Sequence, residues 1–330
     1  MIATPSSASS VPSLGISNSE MRTFQRCPRQ WMLNYYYRFQ PKPASISPVG
    51  VALLGTRVHL SLEAYYGYGL NPLQVLGWEY SRVQLLYPDW TEELDKERSM
   101  ALAMVEGYLD WTASEGIDAG LTVVATEKLV QQYVGTFQGV EVYLRAKLDQ
   151  LIRREFDGAI LLRDFKTVGT LSKANDLQLD QQMRVYALIQ ALQARATGER
   201  PDGCLYTMLK RSKRTARAKG PFYEQVEIRY NKHDLNSAWL HVQEVCRRIV
   251  ETRKRLEAGE DHRQVCYASS SDFCSWGCEF YSQCSLMDDG SRWQDAIRSD
   301  FTQSDPYAYY ESDGIDRVLK AFGKAATATP

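Results

Sequence analysis

Val140, Val142, Leu144, Ala146 and Leu148 put an apolar side chain at every second position, and a further apolar run, ILLRDFKTV, follows just after Asp157-Gly158. Period-two alternation specifies a strand, and Asp-Gly between two such runs signals a hairpin turn. The stretch from 145 to 168 is therefore predicted to be a β-hairpin. On its second arm Ile160, Leu162, Asp164 and Lys166 share one face. On its first arm the alternating apolar residues form the buried face, which leaves Arg145, Lys147 and Asp149 on the other. Two carboxylates and an ammonium are thus committed to neighbouring strands. A carboxylate pair holds a hard divalent cation, and a lysine two residues along can orient or deprotonate water beside a phosphate. A solvated strand face with a surface ion pair would use the same residues, so the rest of the chain has to decide.

A chain of 330 residues can bury a full core as one large domain or two smaller ones, and 44% hydrophobic with 24% charged residues is the balance of a soluble globular protein. The net charge of -1 excludes a globally basic nucleic-acid binder, so a nucleic-acid contact has to come from a local patch. No apolar run reaches the roughly 18 residues that span a bilayer, which predicts no membrane partner. The opening MIATPSSASSVPS has neither a charged n-region nor an apolar h-region, so residues 1–13 are expected to be a disordered tail on a cytoplasmic protein. Cysteines at 27, 204, 246, 266, 274, 278 and 284 are odd in number, and in a reducing compartment clustered cysteines bind metal more often than they pair.

Ser17-Asn18-Ser19-Glu20 fits a capping box before a short helix, and Cys27-Pro28 interrupts that helix where proline can open a second one. The aromatic segment WMLNYYYRF that follows suits a core or a base-stacking surface. Residues 50–66 have helical spacing, with His59 and Glu63 four apart on one face, and further helices are expected over about 72–87 and 92–115. From 121 the pattern turns to strands, the first of which carries Glu127 as a third carboxylate for the same edge. An amphipathic helix over 176–197 sets Gln182 and Tyr186 four apart. Two strands, GCLYTMLK and FYEQVEIRY, then flank a connection that holds Lys210, Arg211, Lys213, Arg214, Arg217 and Lys219. In a neutral chain such a concentration suits a phosphate-contacting DNA arm, and a solvated loop is the plainer use. The helix expected over about 233–258 has its basic residues spread round the cylinder. Four cysteines between 266 and 284 point to metal or cluster ligation, and an acidic, partly ordered tail is expected from Asp288. The sequence has no Gly-Lys-Ser/Thr phosphate loop, Gly-x-Ser-x-Gly elbow or His-Glu-x-x-His helix, which disfavours an ATP motor, a serine hydrolase and a zinc peptidase.

Six features in order resemble the PD-(D/E)XK nuclease superfamily and, within it, the RecB-like iron-sulfur branch of CRISPR-associated and phage exonucleases and the nuclease domain of AddB. They are Cys27-Pro28, Gly55-x-x-x-His59, Asp149 after a strand, Asp164-Phe165-Lys166, Gln182-x-x-x-Tyr186 and the triplet Cys274, Cys278 and Cys284. The resemblance implies an α/β (α+β) fold, a restriction-endonuclease-like central mixed β-sheet flanked by helices, with an iron-sulfur lobe formed by the N- and C-terminal segments. The divisions it implies are 14–46 for the first part of that lobe, 47–120 for helices roofing the site, 121–260 for the nuclease core, 261–287 for the cysteine cluster and 288–330 for the tail.

It further implies that Asp149, Asp164 and the Phe165 carbonyl hold Mg2+ or Mn2+, with His59 as the nitrogen ligand. Lys166 would position the attacking water, and Gln182 and Tyr186 would steady the scissile strand. Cys27, Cys274, Cys278 and Cys284 would hold a [4Fe-4S] cluster that staples distant parts of the chain. Two departures stand out. Cys274 and Cys278 are separated by three residues where two are common, so Gly277 is expected to form a bulge, and Cys266 could displace Cys27 in a zinc set. The activity implied is that of a metal-dependent DNA exonuclease preferring single-stranded 5′ ends. A DNA-end-binding or trimming partner in a recombination or CRISPR-adaptation complex, a flap or endonuclease, and a homo-oligomer are compatible with the same residues.

Overall fold

The computed structural model describes residues 11–42, 47–172, 174–197, 202–214, 217–308 and 314–324; most of the expected N-terminal tail, residues 1–10, lies outside them. The chain opens with β1 (Ser13–Ser17), α1 (Asn18–Arg26), α2 (Pro28–Trp31), a π-helical turn (Met32–Tyr36) and β2 (Phe39–Pro41). Three helices follow, α3 (Val51–Tyr68), α4 (Pro72–Leu86) and α5 (Thr91–Glu115), and then three strands, β3 (Leu121–Phe137), β4 (Val140–Arg154) and β5 (Ile160–Val168). Next come α6 (Ala174–Gln178), α7 (Gln181–Thr197), β6 (Gly203–Lys210), β7 (Tyr223–Ile228) and α8 (Lys232–Glu257). The last elements are α9 (His262–Val265), α10 (Phe273–Gly277), α11 (Tyr281–Cys284), α12 (Trp293–Asp300), β8 (Phe301–Gln303) and α13 (Gly314–Ala321). Strand order is β1-β4-β5-β6-β7 with β3 also on β4, a mixed sheet as predicted. Among the described residues no helix is long and apolar enough to cross a membrane.

The chain divides into two compact units. One comprises Met1–Lys42, Gln131–Ala146 and Asn236–Pro306. Here β1 pairs in parallel with Glu141–Arg145 of β4. The predicted capping box forms: Ser17 Oγ accepts from the Glu20 N–H at 3.0 Å, and the Glu20 carboxylate accepts from the Ser17 N–H. Pro28 occupies the first position of α2, where its missing N–H costs nothing. Trp31, Met32 and Leu33 are buried, so the first part of the aromatic segment is core. The short strands β2 and β8 pair antiparallel. The tail expected from Asp288 is thus partly structured, since α12, β8 and α13 all fall within it.

The other unit comprises Pro43–Val130, Lys147–Leu235 and Tyr307–Pro330. β5 lies antiparallel to β4 and parallel to β6, and β7 is antiparallel to β6. Phe165, Leu209 and Tyr223 on one sheet face share a core with Leu54, Val58 and Met104 of α3 and α5. On the opposite face Tyr206 donates to the Leu177 carbonyl at 3.2 Å, so helices flank the sheet on both sides. The helix expected unbroken over 176–197 is two helices. The first ends at Gln178 and Asp180 caps the second, its Oδ1 accepting from the Gln182 N–H at 2.7 Å, and a residue that competes for backbone donors favours such a boundary. The segment α13 buries Val318 and Leu319 against Ala64, Leu70 and Val75.

Candidate active site

The β4–β5 ladder stops where the chemistry begins. Its register runs from Arg153 opposite Ile160 to Gln150 opposite Arg163. Beyond that point the Phe165 N–H takes a side-chain acceptor instead, donating to Asp149 Oδ2 at 2.9 Å. A backbone donor at the end of a ladder needs a partner, and here it finds a carboxylate. Because strand side chains alternate, Asp164 and Lys166 then project together. Asp164 is only 2% exposed, and its Oδ2 pairs with Lys166 Nζ at 2.9 Å. Lys166 also donates to Gln182 Oε1 at 2.9 Å, and Gln182 Nε2 donates to the Tyr186 hydroxyl at 3.0 Å. The i, i+4 spacing on α7 thus builds a polar relay ending on Asp164.

His59 arrives from α3. The Gly-x-x-x-His spacing has a packing reason: a Cβ on Gly55 would lie 3.1 Å from Thr167 Oγ1, so glycine lets the helix lie close on β5. One turn later His59 Nδ1 is 3.3 Å from Asp149 Oδ2. Glu127 comes from β3 with φ of +47°, an uncommon left-handed backbone for a strand residue other than glycine, and its Oε2 pairs with Lys147 at 2.7 Å. Such strain concentrates at functional sites. Ligand atoms of His59, Glu127 and Asp149 all lie within 4.8 Å of one another, a spacing that suits one divalent ion.

Electrostatics follow from burial and crowding. Burial opposes the charged His59 imidazole, but the Asp149 charge and hydrogen bond outweigh it and raise its pKa to about 9. Burial likewise opposes ionisation of Asp149, yet His59 and the Phe165 N–H hold it below the usual carboxylate range. Burial, with the Asp149 charge, pushes Asp164 up to about 6 despite Lys166. Like charges sharing a small, poorly solvated volume resist ionising together, and a cation relieves them.

Two further residues of this cluster were placed on the right faces by sequence but given no role there. Glu63, pushed up to about 8 by burial and by the Glu127 charge, sits one turn beyond His59, and Lys147 holds Glu127. Their signals were present: Glu63 is at i+4 from His59, and Lys147 shares the Asp149 face of β4.

A model of the PD-(D/E)XK nuclease superfamily matches residues 15–285. The chain belongs to this superfamily. Its fold is accordingly restriction-endonuclease-like, and it is a metal-dependent nuclease. Among solved structures, one described as "Putative exonuclease", from Eubacterium rectale, is similar with 15% identity and a TM-score of 0.41, covering 74% of this chain and 81% of its own. No curated protein matches.

The remaining predicted residues of the nuclease fall in two places. A cavity of about 720 Å³ is lined by Cys27, Cys274, Cys278 and Cys284, whereas Cys266 is fully buried and does not line it. Arg29 donates to the Cys284 carbonyl at 3.1 Å and grips Asp288 with two hydrogen bonds of 2.7 and 2.8 Å. The bulge expected at Gly277 is instead the last residue of α10. A Cβ there would come within 2.4 Å of the Phe273 ring, so the extra residue is taken up in a helical turn where any larger residue would have to displace that ring. In the basic connection Lys213, Arg217 and Lys219 are exposed, and Lys210 and Arg211 are half-buried. Arg214 is already engaged, stacked 3.8 Å over Phe222 and donating to the Tyr223 hydroxyl. The basic residues of α8 are largely occupied as well: Arg247 pairs with Glu244 and Glu251, Lys254 with Glu257 and Arg255 with Glu260.

Proposed function

We propose that this nuclease is a DNA exonuclease using Mg2+ or Mn2+, acting from single-stranded 5′ ends and carrying a structural [4Fe-4S] cluster. The observation that carries the catalytic reading is the gathering of His59, Glu127 and Asp149 within 4.8 Å, beside the Asp164–Lys166 pair. Clustered carboxylates suit a hard divalent ion and an imidazole among them favours Mn2+ alongside Mg2+; Asp149, Asp164, His59, Glu127 and the Phe165 carbonyl are the groups that would hold it. When bound, the ion supplies positive charge to the phosphate as charge builds in the transition state.

The chain's own residues do the rest. Burial opposes charge on Lys166, but Asp164 and its neighbours keep its pKa above the usual lysine value, so it acts as an ammonium that donates to the attacking water or a phosphate oxygen rather than as a base. Asp164 and Gln182 fix its direction, and Tyr186 fixes Gln182. Lys213, Arg217 and Lys219 present exposed charge for a phosphate backbone.

The cluster reading is supported by four thiols around one cavity, the number a [4Fe-4S] centre needs, with Cys266 outside it. Preference for single strands and for 5′ ends rests on the resemblance to the RecB-like exonuclease branch. The test is cleavage of end-labelled single-stranded, duplex and circular DNA with Mg2+ or Mn2+ by anaerobically purified protein, alongside Asp164→Ala. Metal-dependent loss of linear single strands from the 5′ end, absent in the variant and from a brown protein, is the expected result. Cleavage of circles would make it an endonuclease, tight binding without cleavage would make it a DNA-end-binding partner, and a colourless zinc protein would remove the cluster.

A further inference from the structure

Beneath the site lies a buried cation that the catalytic reading does not use. Arg163 is 2% exposed, a position that is costly for a guanidinium unless its N–H groups are satisfied. Its Nε donates to Thr207 Oγ1 at 3.0 Å, one terminal nitrogen donates to the Tyr108 hydroxyl at 2.7 Å, and the other pairs with Asp118 Oδ1 at 2.9 Å. Tyr66 closes the network, its hydroxyl 2.6 Å from both Tyr108 and Asp118. One cation therefore ties together α3, α5, β6 and the turn before β3.

What this network encloses is the Phe165 ring. The guanidinium lies 4.8 Å from its centroid, Tyr66 stacks on it at 5.7 Å, and Tyr108 meets it edge-on at 6.1 Å. On the site side, the same residue's N–H holds Asp149, and the His59 ring meets the Phe165 ring edge-on at 6.4 Å. Strand alternation puts Arg163 and Phe165 on one face of β5 and Asp164 and Lys166 on the other. Fixing the Phe165 side chain fixes the peptide whose N–H aims the Asp149 carboxylate.

We infer that Arg163 is a positioning residue of the metal site, acting through Phe165; this rests on the metal-site reading of His59, Glu127 and Asp149. A planar fork sets direction in a way that an aliphatic side chain of similar volume does not. Partners that orient metal ligands typically change metal affinity by roughly 10- to 100-fold when removed.

The test measures Mn2+ binding to anaerobically purified protein freed of divalent ions, by electron paramagnetic resonance of the free ion, for wild type, Arg163→Met, Phe165→Leu and Asp149→Ala. Circular dichroism and melting curves establish which variants are folded at the assay temperature. Lost stability alone lowers the melting temperature without moving an affinity measured far below it. Mn2+ binding weakened about tenfold or more in folded Arg163→Met and Phe165→Leu is the expected result. Wild-type affinity in both overturns the inference, and if Arg163→Met does not fold, Phe165→Leu decides in the same way. Should Asp149→Ala bind Mn2+ as wild type does, the metal-site reading itself has failed, and the inference falls with it.

Discussion

Replacing Glu20 by glutamine is expected to stabilise the protein at pH 8 and to leave it unchanged near pH 4. Glu20 is 1% exposed and accepts from Trp31 Nε1 at 2.9 Å. Burial nevertheless pushes its carboxyl up to about 7 from 4.5. At about 1.4 kcal/mol per pH unit, that difference is worth roughly 3 kcal/mol. Between pH 4.5 and 7 the folded chain keeps a proton that the unfolded chain has released, so stability from this group is full below 4.5 and is lost as pH rises through 7. Glutamine retains an acceptor for Trp31 and Ser17 but never ionises. Urea unfolding of wild type and Glu20→Gln at half-unit steps from pH 4 to 8.5 isolates the term, because other titrating groups cancel in the difference. The gap between the two should open from near zero to about 3 kcal/mol across that window. A gap that is flat with pH, or a variant less stable at pH 8, would refute the reasoning.

Three other outcomes follow from the geometry. Lys166→Met is expected to lower the cleavage rate by roughly 10²- to 10⁴-fold while Mn2+ binding persists, as read by single-turnover kinetics on labelled DNA. Lys213→Ala, Arg217→Ala and Lys219→Ala should each weaken single-strand binding and reduce its salt slope by about one, whereas Arg214→Ala, which loses the stack on Phe222, should lower the melting temperature. Gly277→Ala drives a methyl into the Phe273 ring and is expected to destabilise by roughly 1–3 kcal/mol in urea titrations of the holo protein.

Much of the candidate site was legible because it rests on local periodicity. Alternation along β4 and β5 sets which residues share a face, so Asp149, Asp164 and Lys166 could be grouped before any contact was known, and the structure indeed brings them together. Gln182 and Tyr186 were legible from helical spacing and do hydrogen-bond each other. The strand β1 was not foreseen: five residues, SLGIS, are too few for a periodic signal, and their parallel partner begins at Glu141. β2 and β8, three residues each and paired across the chain from Phe39 to Gln303, escaped for the same reason. The break before α7 turned on one side chain, Asp180, choosing a cap over a continuing helix.

The sequence by itself determined which residues face together within a strand or a helix, because side-chain direction repeats with the backbone every 2 or 3.6 residues. It thereby set the Asp-x-Lys pair, the His59 face of α3 and the cysteine spacing. Only the tertiary structure decided which faces meet. That Cys27 lines a cavity with the C-terminal triplet, that Lys147 pairs with Glu127, and that Tyr66 and Tyr108 close on the Phe165 ring are relations between residues distant in the chain. No local period encodes them, because they come from packing whole elements against one another to bury apolar surface and bring buried charges together with partners.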